Sequence, residues 1–188
     1  MLVNPWPSKY VALKPTIYKF NISLSDLNRD HYETLNLTVA RHPSETIERM
    51  MVRVLAYCIN ADEQLEFTKG VSAVDEPDLW LHTLDGQLGT WIDVGEPAVE
   101  RIKKATRLTR DVKVYSFNSK SPIWWQQSKE KINKLNVSIF QLSCESVQAL
   151  AALVQRTMSL SVTITDSSAF IATDRGEVDL TWRALLQV

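Results

Sequence analysis

The sequence predicts a mixed α/β (α+β) fold with an αβββαβ core, in which a central mixed sheet is flanked by helices. Three observations support this prediction. Apolar residues follow a helical stripe through residues 43–61. Two alternating runs, residues 77–84 and 87–95, meet at an Asp-Gly pair that is typical of a hairpin turn. A second helical stripe begins at Pro97 and continues to about Leu108. We expect residues 1–188 to form a single domain.

Further strands and helices are predicted on both sides of this core. Residues 16–24 and 32–39 alternate between apolar and polar side chains, and the turn composition between them predicts an N-terminal hairpin. Residues 64–70 and 111–117 are candidate strands within the core. After the core we predict a helix starting at Ser121, a strand over residues 135–142, a helix capped by Ser143, and C-terminal hairpin strands over residues 160–165, 169–173 and 178–182.

The composition is that of an ordinary globular protein rather than a disordered chain or a disulfide scaffold. Apolar residues make up 45% of the sequence and charged residues 23%. No apolar run approaches the roughly 20 residues of a membrane span, and the N-terminus shows no signal peptide. Cys58 and Cys144 lack the spacing of metal ligands, so we expect both to be reduced thiols in or near the core. These features favour a cytoplasmic protein that does not bind membranes.

The pair Asp85-Gly86 fixes the expected register of the central hairpin. A two-residue type I′ loop requires positive φ at both of its residues, which this pair tolerates better than most. With a two-residue loop, every facing pair has residue numbers that sum to 171. Trp80 then faces Trp91.

The same register makes two carboxylates face each other, those of Asp78 and Asp93. Facing side chains have Cβ atoms about 4.5–5.5 Å apart, and like charges placed there destabilise a sheet unless a cation lies between them. Their repulsion is expected to raise at least one of the two pKa values, and Asp93→Asn is expected to stabilise the metal-free protein at neutral pH. Carboxylates are ligands that Mg²⁺ prefers. The alternative is an acidic sheet edge with both side chains in water.

The first helix supplies a third candidate carboxylate. Glu48 falls on the flank of the apolar stripe, beside Leu55, where its side chain can reach a cleft. Arg49 and Arg53 fall on the far side of the stripe, where we expect solvent. Thr46 is better explained as a helix cap than as a nucleophile.

The small net charge conceals a strong asymmetry along the chain. Residues 60–100 contain ten acidic residues and one base, whereas residues 101–134 contain ten bases and two acidic residues. A polyanionic partner is expected if the basic and acidic segments line one cleft. The alternative is that the two segments neutralise each other across the fold.

The element order and several motifs resemble the PD-(D/E)XK nuclease superfamily, whose members share the restriction-endonuclease-like fold. Pro77-Asp78 matches the PD of that pattern, and Asp93 takes the place of its second acid. More narrowly, the chain resembles the bacterial YaeQ family over nearly its whole length. The motifs that carry this resemblance are ARHPSETIERMM from Ala40, DEPDLW from Asp75, WIDVGEP from Trp91, RIKKA from Arg101 and WWQQ from Trp124.

The resemblance implies a nuclease or phosphodiesterase that depends on Mg²⁺ or Mn²⁺ and acts on DNA or RNA. The implied metal ligands and catalytic carboxylates are Glu48, Asp78 and Asp93. The superfamily places a lysine two residues after the second acid, but this chain has Gly95 there. Lys103 on the following helix is the nearest substitute, with Lys104 or Arg101 as alternatives. Such a cation would offset charge on the attacked phosphate.

The basic segment and the helix that starts at Ser121 contain the candidate contacts to nucleic acid. The candidates are Arg101, Lys104, Trp124, Trp125, Gln126 and Gln127. The two tryptophans cannot face the same way on a helix, so we expect one in the core and the other available to stack on a base. The alternative function is a non-catalytic nucleic-acid-binding or regulatory protein that keeps a degenerate nuclease fold.

Overall fold

One sheet of ten strands and four helices make up the part of the protein that the computed structural model describes, residues 14–70 and 75–188. The strands are β1 (Thr16–Asp26), β2 (His31–Arg41), β3 (Leu65–Phe67), β4 (Leu79–His82), β5 (Leu88–Val94), β6 (Asp111–Ser116), β7 (Ser138–Leu142), β8 (Thr157–Thr165), β9 (Ser168–Thr173) and β10 (Gly176–Leu186). The helices are α1 (Ile47–Ile59), α2 (Val99–Leu108), α3 (Ser121–Ile132) and α4 (Cys144–Ala152). The prediction that the N-terminus has no signal peptide concerns residues 1–13, which lie outside the described residues.

The sheet is mixed, as predicted, and its strand order is β2-β1-β8-β9-β10-β7-β6-β5-β4-β3. The pairs β1–β8, β5–β6 and β6–β7 are parallel, and the remaining pairs are antiparallel. The elements α1, β3, β4, β5, α2 and β6 follow one another in the chain, which confirms the predicted order of the core. None of the helices within the described ranges is long and apolar enough to cross a membrane.

The N-terminal hairpin is confirmed, with eleven residues in each strand. Its alternation places Tyr18, Phe20, Ile22 and Leu24 in the core, while the residues between them are exposed. The C-terminal strand β10 extends further than predicted, to Leu186. It pairs first with β9 and then, from Trp182 onward, with β7, so one strand joins two parts of the sheet.

The first helix starts later than its sequence predicts, at Ile47 rather than near Pro43. The Thr46 hydroxyl accepts a hydrogen bond from the Arg49 N–H at 3.2 Å, which makes Thr46 the N-cap. The predicted cap at Ser143 is confirmed in the same way, because its hydroxyl accepts a hydrogen bond from the N–H of Ser146, the third residue of α4. The turn before Thr46 therefore lies outside the helix.

The turn of the central hairpin differs from the prediction. The Thr83 N–H donates to the Gln87 carbonyl at 2.9 Å, and the Gly86 N–H donates to the Thr83 carbonyl at 2.8 Å. The loop therefore has three residues, 84–86, and only Gly86 needs a positive φ, of 79°. Asp85 has no positive φ, so the turn is not type I′.

The register beyond the turn is nevertheless the predicted one. The pairing shifts by one residue between Leu81 and His82, where Gly89 is an extra residue on β5. The extra loop residue and the extra strand residue compensate each other. Trp80 therefore pairs with Trp91, as predicted.

Helices cover the sheet on both sides. One apolar cluster fills the space between the sheet and the helices α1 and α4, and a second lies under α2 and α3. Cys58 is buried in the first cluster and Cys144 is half-buried, and both are free thiols. The site described next lies where α1 and α2, on opposite faces, both approach the end of β5.

Candidate functional site

A cluster of ion pairs lies at the end of β5. Asp78 immediately precedes β4, and Asp93 is the last but one residue of β5. Each aspartate is only 2% exposed. The Asp78 N–H donates to the Ile92 carbonyl at 2.9 Å, which keeps this segment against β5. Two carboxylates are thus removed from water at one end of the hairpin, a placement that requires compensating positive charge.

The Asp78 carboxylate is held from the side of α1. The Arg49 Nη2 lies 2.8 Å from Asp78 Oδ1 and 2.9 Å from Oδ2. The Val94 N–H donates to Oδ2 at 2.7 Å. The same Arg49 Nη2 also donates to the Val94 carbonyl, at 3.3 Å. One guanidinium nitrogen therefore stands among three oxygen atoms.

The Asp93 carboxylate is held from the side of α2. Arg101 donates to it through Nε at 2.9 Å and through Nη2 at 2.8 Å, which is a bidentate pair. Its Nη2 also donates to the Glu76 carbonyl at 2.7 Å. The guanidinium lies over the Trp91 ring, 5.7 Å from its centroid. These hydrogen bonds and the ring contact orient Arg101 toward Asp93 in this structure.

A second, deeper ion pair supports Arg49. Glu45 lies in the turn before α1 and is 4% exposed, and Arg53 on α1 is 2% exposed. Arg53 binds the Glu45 carboxylate through Nε at 2.8 Å and through Nη2 at 2.7 Å. Arg49 Nη1 donates to the same carboxylate at 3.0 Å. Glu45 therefore orients Arg49 toward Asp78.

The prediction that Arg49 and Arg53 face solvent is wrong. The apolar stripe predicts one buried face, but α1 contacts β2, β5 and α4 and is covered on several sides. Arg53 Nη2 donates to the Ala40 carbonyl in β2 at 3.0 Å, on the side where the stripe predicts water. The spacing of Glu45, Arg49 and Arg53 at i, i+4 and i+8 is the sequence signal that would have indicated one charged face.

The oxygen atoms at this site are of the kind that Mg²⁺ prefers. Around Arg49 Nη2 they are the two Asp78 oxygens and the Val94 carbonyl, and around Arg101 they are the Asp93 oxygens and the Glu76 carbonyl. Mg²⁺ takes carboxylates, carbonyls and water. The donor atoms thus match a divalent cation in type, and in this structure two guanidinium groups are hydrogen-bonded to them.

Burial is the main influence on the titration of Asp78. Loss of hydration raises the pKa of the Asp78 carboxyl above its usual range. The Arg49 charge and the Val94 N–H act in the opposite direction, and the nearby Asp93 charge raises the pKa further. The expectation that one of the two carboxyls has a raised pKa agrees with this, although mutual repulsion is a smaller cause than burial.

This raised pKa predicts how stability depends on pH. Between the unfolded and folded pKa values, the folded protein retains a proton on Asp78 that the unfolded chain releases. The penalty is therefore absent below the ordinary pKa of 3.8 and develops as the pH rises through the folded value. Urea unfolding of the wild type and Asp78→Asn between about pH 4 and pH 7 measures it. The unfolding free energy of the wild type relative to the variant should fall as the pH rises. If the unfolding free energy of the wild type relative to the variant rises with pH, the raised pKa of Asp78 is contradicted.

Glu48 is half-buried in the first turn of α1, next to Arg49 in sequence. Within residues 14–70 and 75–188, no three His, Cys, Asp or Glu side chains are grouped so that they could hold a metal ion. Glu48 therefore does not complete a set of three carboxylates with Asp78 and Asp93 in this conformation. Its role as a metal ligand remains a prediction.

Among the three candidate cations on α2, Arg101 is the one that binds a buried acid. Lys103 is exposed, and Lys104 forms an exposed pair with Asp75, with 2.5 Å between Nζ and Oδ1. Gly95 has φ of 103°, a value that side chains with a Cβ rarely adopt. A lysine at this position would be strained, although a Cβ there would meet no atom within 4 Å.

The predicted nucleic-acid contacts on α3 fall into two groups. Trp124 and Trp125 are both half-buried against the second apolar cluster, so neither is fully in the core as predicted for one of them. Trp124 Nε1 donates to the Pro97 carbonyl at 3.0 Å. Gln126 and Gln127 are exposed. Trp124 and Gln127 line a surface cavity of about 590 Å³, together with Glu96, Asn118, Ser119, Lys120 and Ile123.

The acidic and basic segments meet at this site. Arg101 pairs with Asp93, and Lys104 pairs with Asp75, so residues from the basic segment neutralise residues from the acidic one. This arrangement agrees with the second of the two explanations for the charge asymmetry. The lysines in the last turn of α3 are among the bases of this segment that remain exposed.

Comparison with known sequences identifies relatives over most of the chain. The sequence model of the YaeQ protein family matches residues 11–182. The YaeQ protein of Escherichia coli (strain K12) is 42% identical over 175 residues, which cover 91% of this chain and 97% of the relative. The YaeQ protein of Salmonella typhi is 41% identical over 172 residues, covering 90% and 95%.

Comparison with solved structures gives the same result. The crystal structure of the YaeQ protein from Xanthomonas axonopodis pv. citri has a TM-score of 0.89 and 36% identity, covering 93% of this chain and 99% of that one. The YaeQ protein from Pseudomonas syringae has a TM-score of 0.88 and 37% identity, covering 93% and 97%. The residues that the family model matches include the hairpin, both flanking helices and the ion-pair cluster. The chain therefore belongs to the YaeQ family.

Proposed function

We propose that this protein is a Mg²⁺- or Mn²⁺-dependent nuclease of the PD-(D/E)XK type that cleaves phosphodiester bonds of nucleic acid. One observation carries the proposal: Asp78 and Asp93 are each 2% exposed and lie close enough for the charge of Asp93 to raise the pKa of Asp78. They lie at the end of β5, within an α1-β3-β4-β5-α2-β6 order like that of the restriction-endonuclease-like fold. A buried acid with perturbed titration, such as Asp78, is a frequent mark of a functional site.

In this proposal the metal ligands are Asp78, Asp93 and the Val94 carbonyl. A bound Mg²⁺ supplies Lewis-acid stabilisation of the phosphate and activation of the attacking water. We retain Glu48 as a proposed third carboxylate, because the first turn of α1 places it next to Arg49, which binds Asp78. Mg²⁺ keeps several waters, so a carboxylate can act through one of them.

Arg101 takes the role that the resemblance assigns to a lysine. It is 29% exposed at its side chain, so its guanidinium can reach a ligand in solvent without unfolding the site. A guanidinium binds two phosphate oxygens at once and offsets their charge as it develops. Lys103 is exposed on the same helix and remains a proposed second contact to the phosphate.

The proposed substrate is nucleic acid, and the proposed location is the cytoplasm. The cavity of about 590 Å³ beside α3 offers the half-buried face of Trp124 and the amide of Gln127 to a base. Trp125, Gln126 and Lys104 are proposed to contact neighbouring parts of the strand. Exposed lysines at the end of α3 would contribute the salt-dependent share of the affinity.

Cleavage of labelled nucleic acid tests the proposal directly. We expect the purified protein to cut single-stranded or double-stranded DNA or RNA in Mg²⁺ or Mn²⁺, and we expect a chelator to stop the reaction. The four substrates are compared at equal length and equal ionic strength, because binding to phosphates depends strongly on salt. Absence of cleavage on all four substrates in both metals contradicts the proposal.

A second candidate function is supported by the arginines. Arg49 and Arg101 occupy the two acids, and Gly95 stands where the superfamily has its lysine. A non-catalytic nucleic-acid-binding or regulatory protein would use the same arginines on phosphates without cleaving them. A salt-dependent gel shift that needs no divalent metal, with no cleavage, favours this candidate over the first.

A further inference from the structure

The ion-pair cluster is electrically balanced as it stands. Its acids are Glu45, Asp78 and Asp93, and its bases are Arg49, Arg53 and Arg101. Three negative and three positive charges cancel. A divalent cation added to this cluster would leave an excess of two positive charges in a largely buried place, which is unfavourable unless a negative group arrives with it.

The bases of the cluster differ in their freedom to move. The Arg53 side chain is 2% exposed and is bound on both sides, whereas those of Arg49 and Arg101 are 21% and 29% exposed. Arg49 also keeps a hydrogen bond to Glu45, through Nη1, that does not involve Asp78. Arg53 is therefore a fixed structural partner, and the other two arginines can exchange one anion for another.

We propose that Arg49 and Arg101 are exchangeable internal cations, which hold the two aspartates in the ligand-free protein and pass to phosphate oxygens when a divalent cation takes the aspartates. The inference rests on the proposed function. Its consequence is that metal and phosphodiester bind cooperatively, each weakly alone and more tightly together. A phosphodiester suits this exchange, because its two free oxygens accept a guanidinium in the same bidentate manner as the Asp93 carboxylate.

The exchange also explains how the charges of the buried aspartates are compensated when no metal is bound. A buried carboxylate with no partner is costly, so the arginines stabilise the folded protein whenever metal is absent. The metal must compete with a guanidinium for each acid. The metal and the phosphodiester favour the same rearrangement of the folded protein. Each ligand therefore raises the affinity for the other by the same factor.

Calorimetric titration of Mn²⁺ tests the inference without any measurement of activity. The wild type is titrated alone and with dimethyl phosphate, the smallest phosphodiester. We expect dimethyl phosphate to tighten Mn²⁺ binding by about fivefold or more, the lower end of the usual range for coupled ligands. Equal Mn²⁺ affinity with and without dimethyl phosphate overturns the inference.

Substitution of Arg101 gives the second half of the test. Arg101→Gln removes the competing guanidinium and should bind Mn²⁺ alone about tenfold more tightly than the wild type, with the effect of dimethyl phosphate reduced. Arg107→Gln removes the same charge from the last turn of α2 and should leave the Mn²⁺ affinity unchanged. Arg101→Lys keeps the charge but cannot form the bidentate pair, and its affinity should lie between those of the wild type and Arg101→Gln.

The outcomes separate this inference from the proposed function. If the wild type binds Mn²⁺ and Arg101→Gln binds it no more tightly, the exchange is wrong and the metal site stands. If none of these proteins binds Mn²⁺, the proposed function is wrong as well. Should Arg101→Gln fail to fold, the titration of the wild type with dimethyl phosphate still decides, since it needs no variant.

Discussion

Asp93→Asn is expected to lose metal-dependent cleavage by more than about a hundredfold, because even the outer partners of metal ligands commonly contribute 10- to 100-fold. An amide keeps the shape of the side chain but loses the charge that would hold the metal. The measurement is the cleavage rate at saturating Mg²⁺ for the wild type and the variant. A variant that cleaves as fast as the wild type contradicts the proposed site.

The matched control for this variant is Asp75→Asn. Asp75→Asn is the same change from carboxylate to amide, close to α2. The Asp75 side chain, however, is 84% exposed and pairs with Lys104 at the surface. Its cleavage rate should remain within a few-fold of the wild type, by about the amount that exposed pairs usually contribute. Circular dichroism of both variants shows whether any loss of activity comes from unfolding.

The stability of Asp93→Asn is also informative, since the structure reverses the expectation from sequence. The facing carboxylates alone predict that the amide stabilises the metal-free protein. The bidentate bonds from Arg101 supply the missing cation, so the substitution removes an ion pair that is buried on the Asp93 side. We therefore expect Asp93→Asn to lower the melting temperature.

Arg53→Met is expected to produce the largest loss of stability, about 3–5 kcal/mol in the free energy of unfolding. Glu45 and Arg53 are both 2% exposed at their side chains and share two hydrogen bonds. Removal of the arginine leaves the Glu45 carboxylate buried with only Arg49 as a charged partner. Such a loss is a large fraction of the roughly 5–15 kcal/mol that stabilises a typical domain.

Urea unfolding measures this effect, and a double variant provides its control. Glu45→Gln combined with Arg53→Met removes both charges and should recover part of the lost stability, because no carboxylate is then left without its partner. If Arg53→Met alone lowers the free energy of unfolding by less than about 1 kcal/mol, as a surface substitution typically does, the pair is not buried as described.

The central hairpin shows how much of this fold could be predicted from its sequence. Alternation and the Asp-Gly pair predict two adjacent strands and the pairing of Trp80 with Trp91, and both are confirmed. The turn type is wrong, because an extra loop residue is compensated by an extra residue at Gly89. A bulge depends partly on the packing of the whole sheet, but the isolated Gly89 within the β5 run is a local signal that would have indicated it.

The candidate site was predictable to a smaller extent. Asp78 and Asp93 were predicted from the hairpin pattern, and both lie at the same end of that hairpin. The arginines that hold them were missed, because a stripe of apolar residues on α1 indicates only one buried face. Which other elements cover Arg49 and Arg53 depends on the N-terminal hairpin, on β5 and on α4, contacts between residues far apart in the chain.

Anomalous diffraction from a crystal soaked in Mn²⁺ measures the central claim most directly, because it locates the metal and both arginines at once. The account predicts a Mn²⁺ peak at bonding distance from carboxylate oxygens of Asp78 and Asp93, with Arg101 displaced from Asp93. A crystal of Arg101→Gln should show the same peak at a lower Mn²⁺ concentration. The account is contradicted if neither crystal shows a peak at these carboxylates and Arg49 is still bonded to Asp78. In the wild-type crystal, Arg101 would then also still be bonded to Asp93.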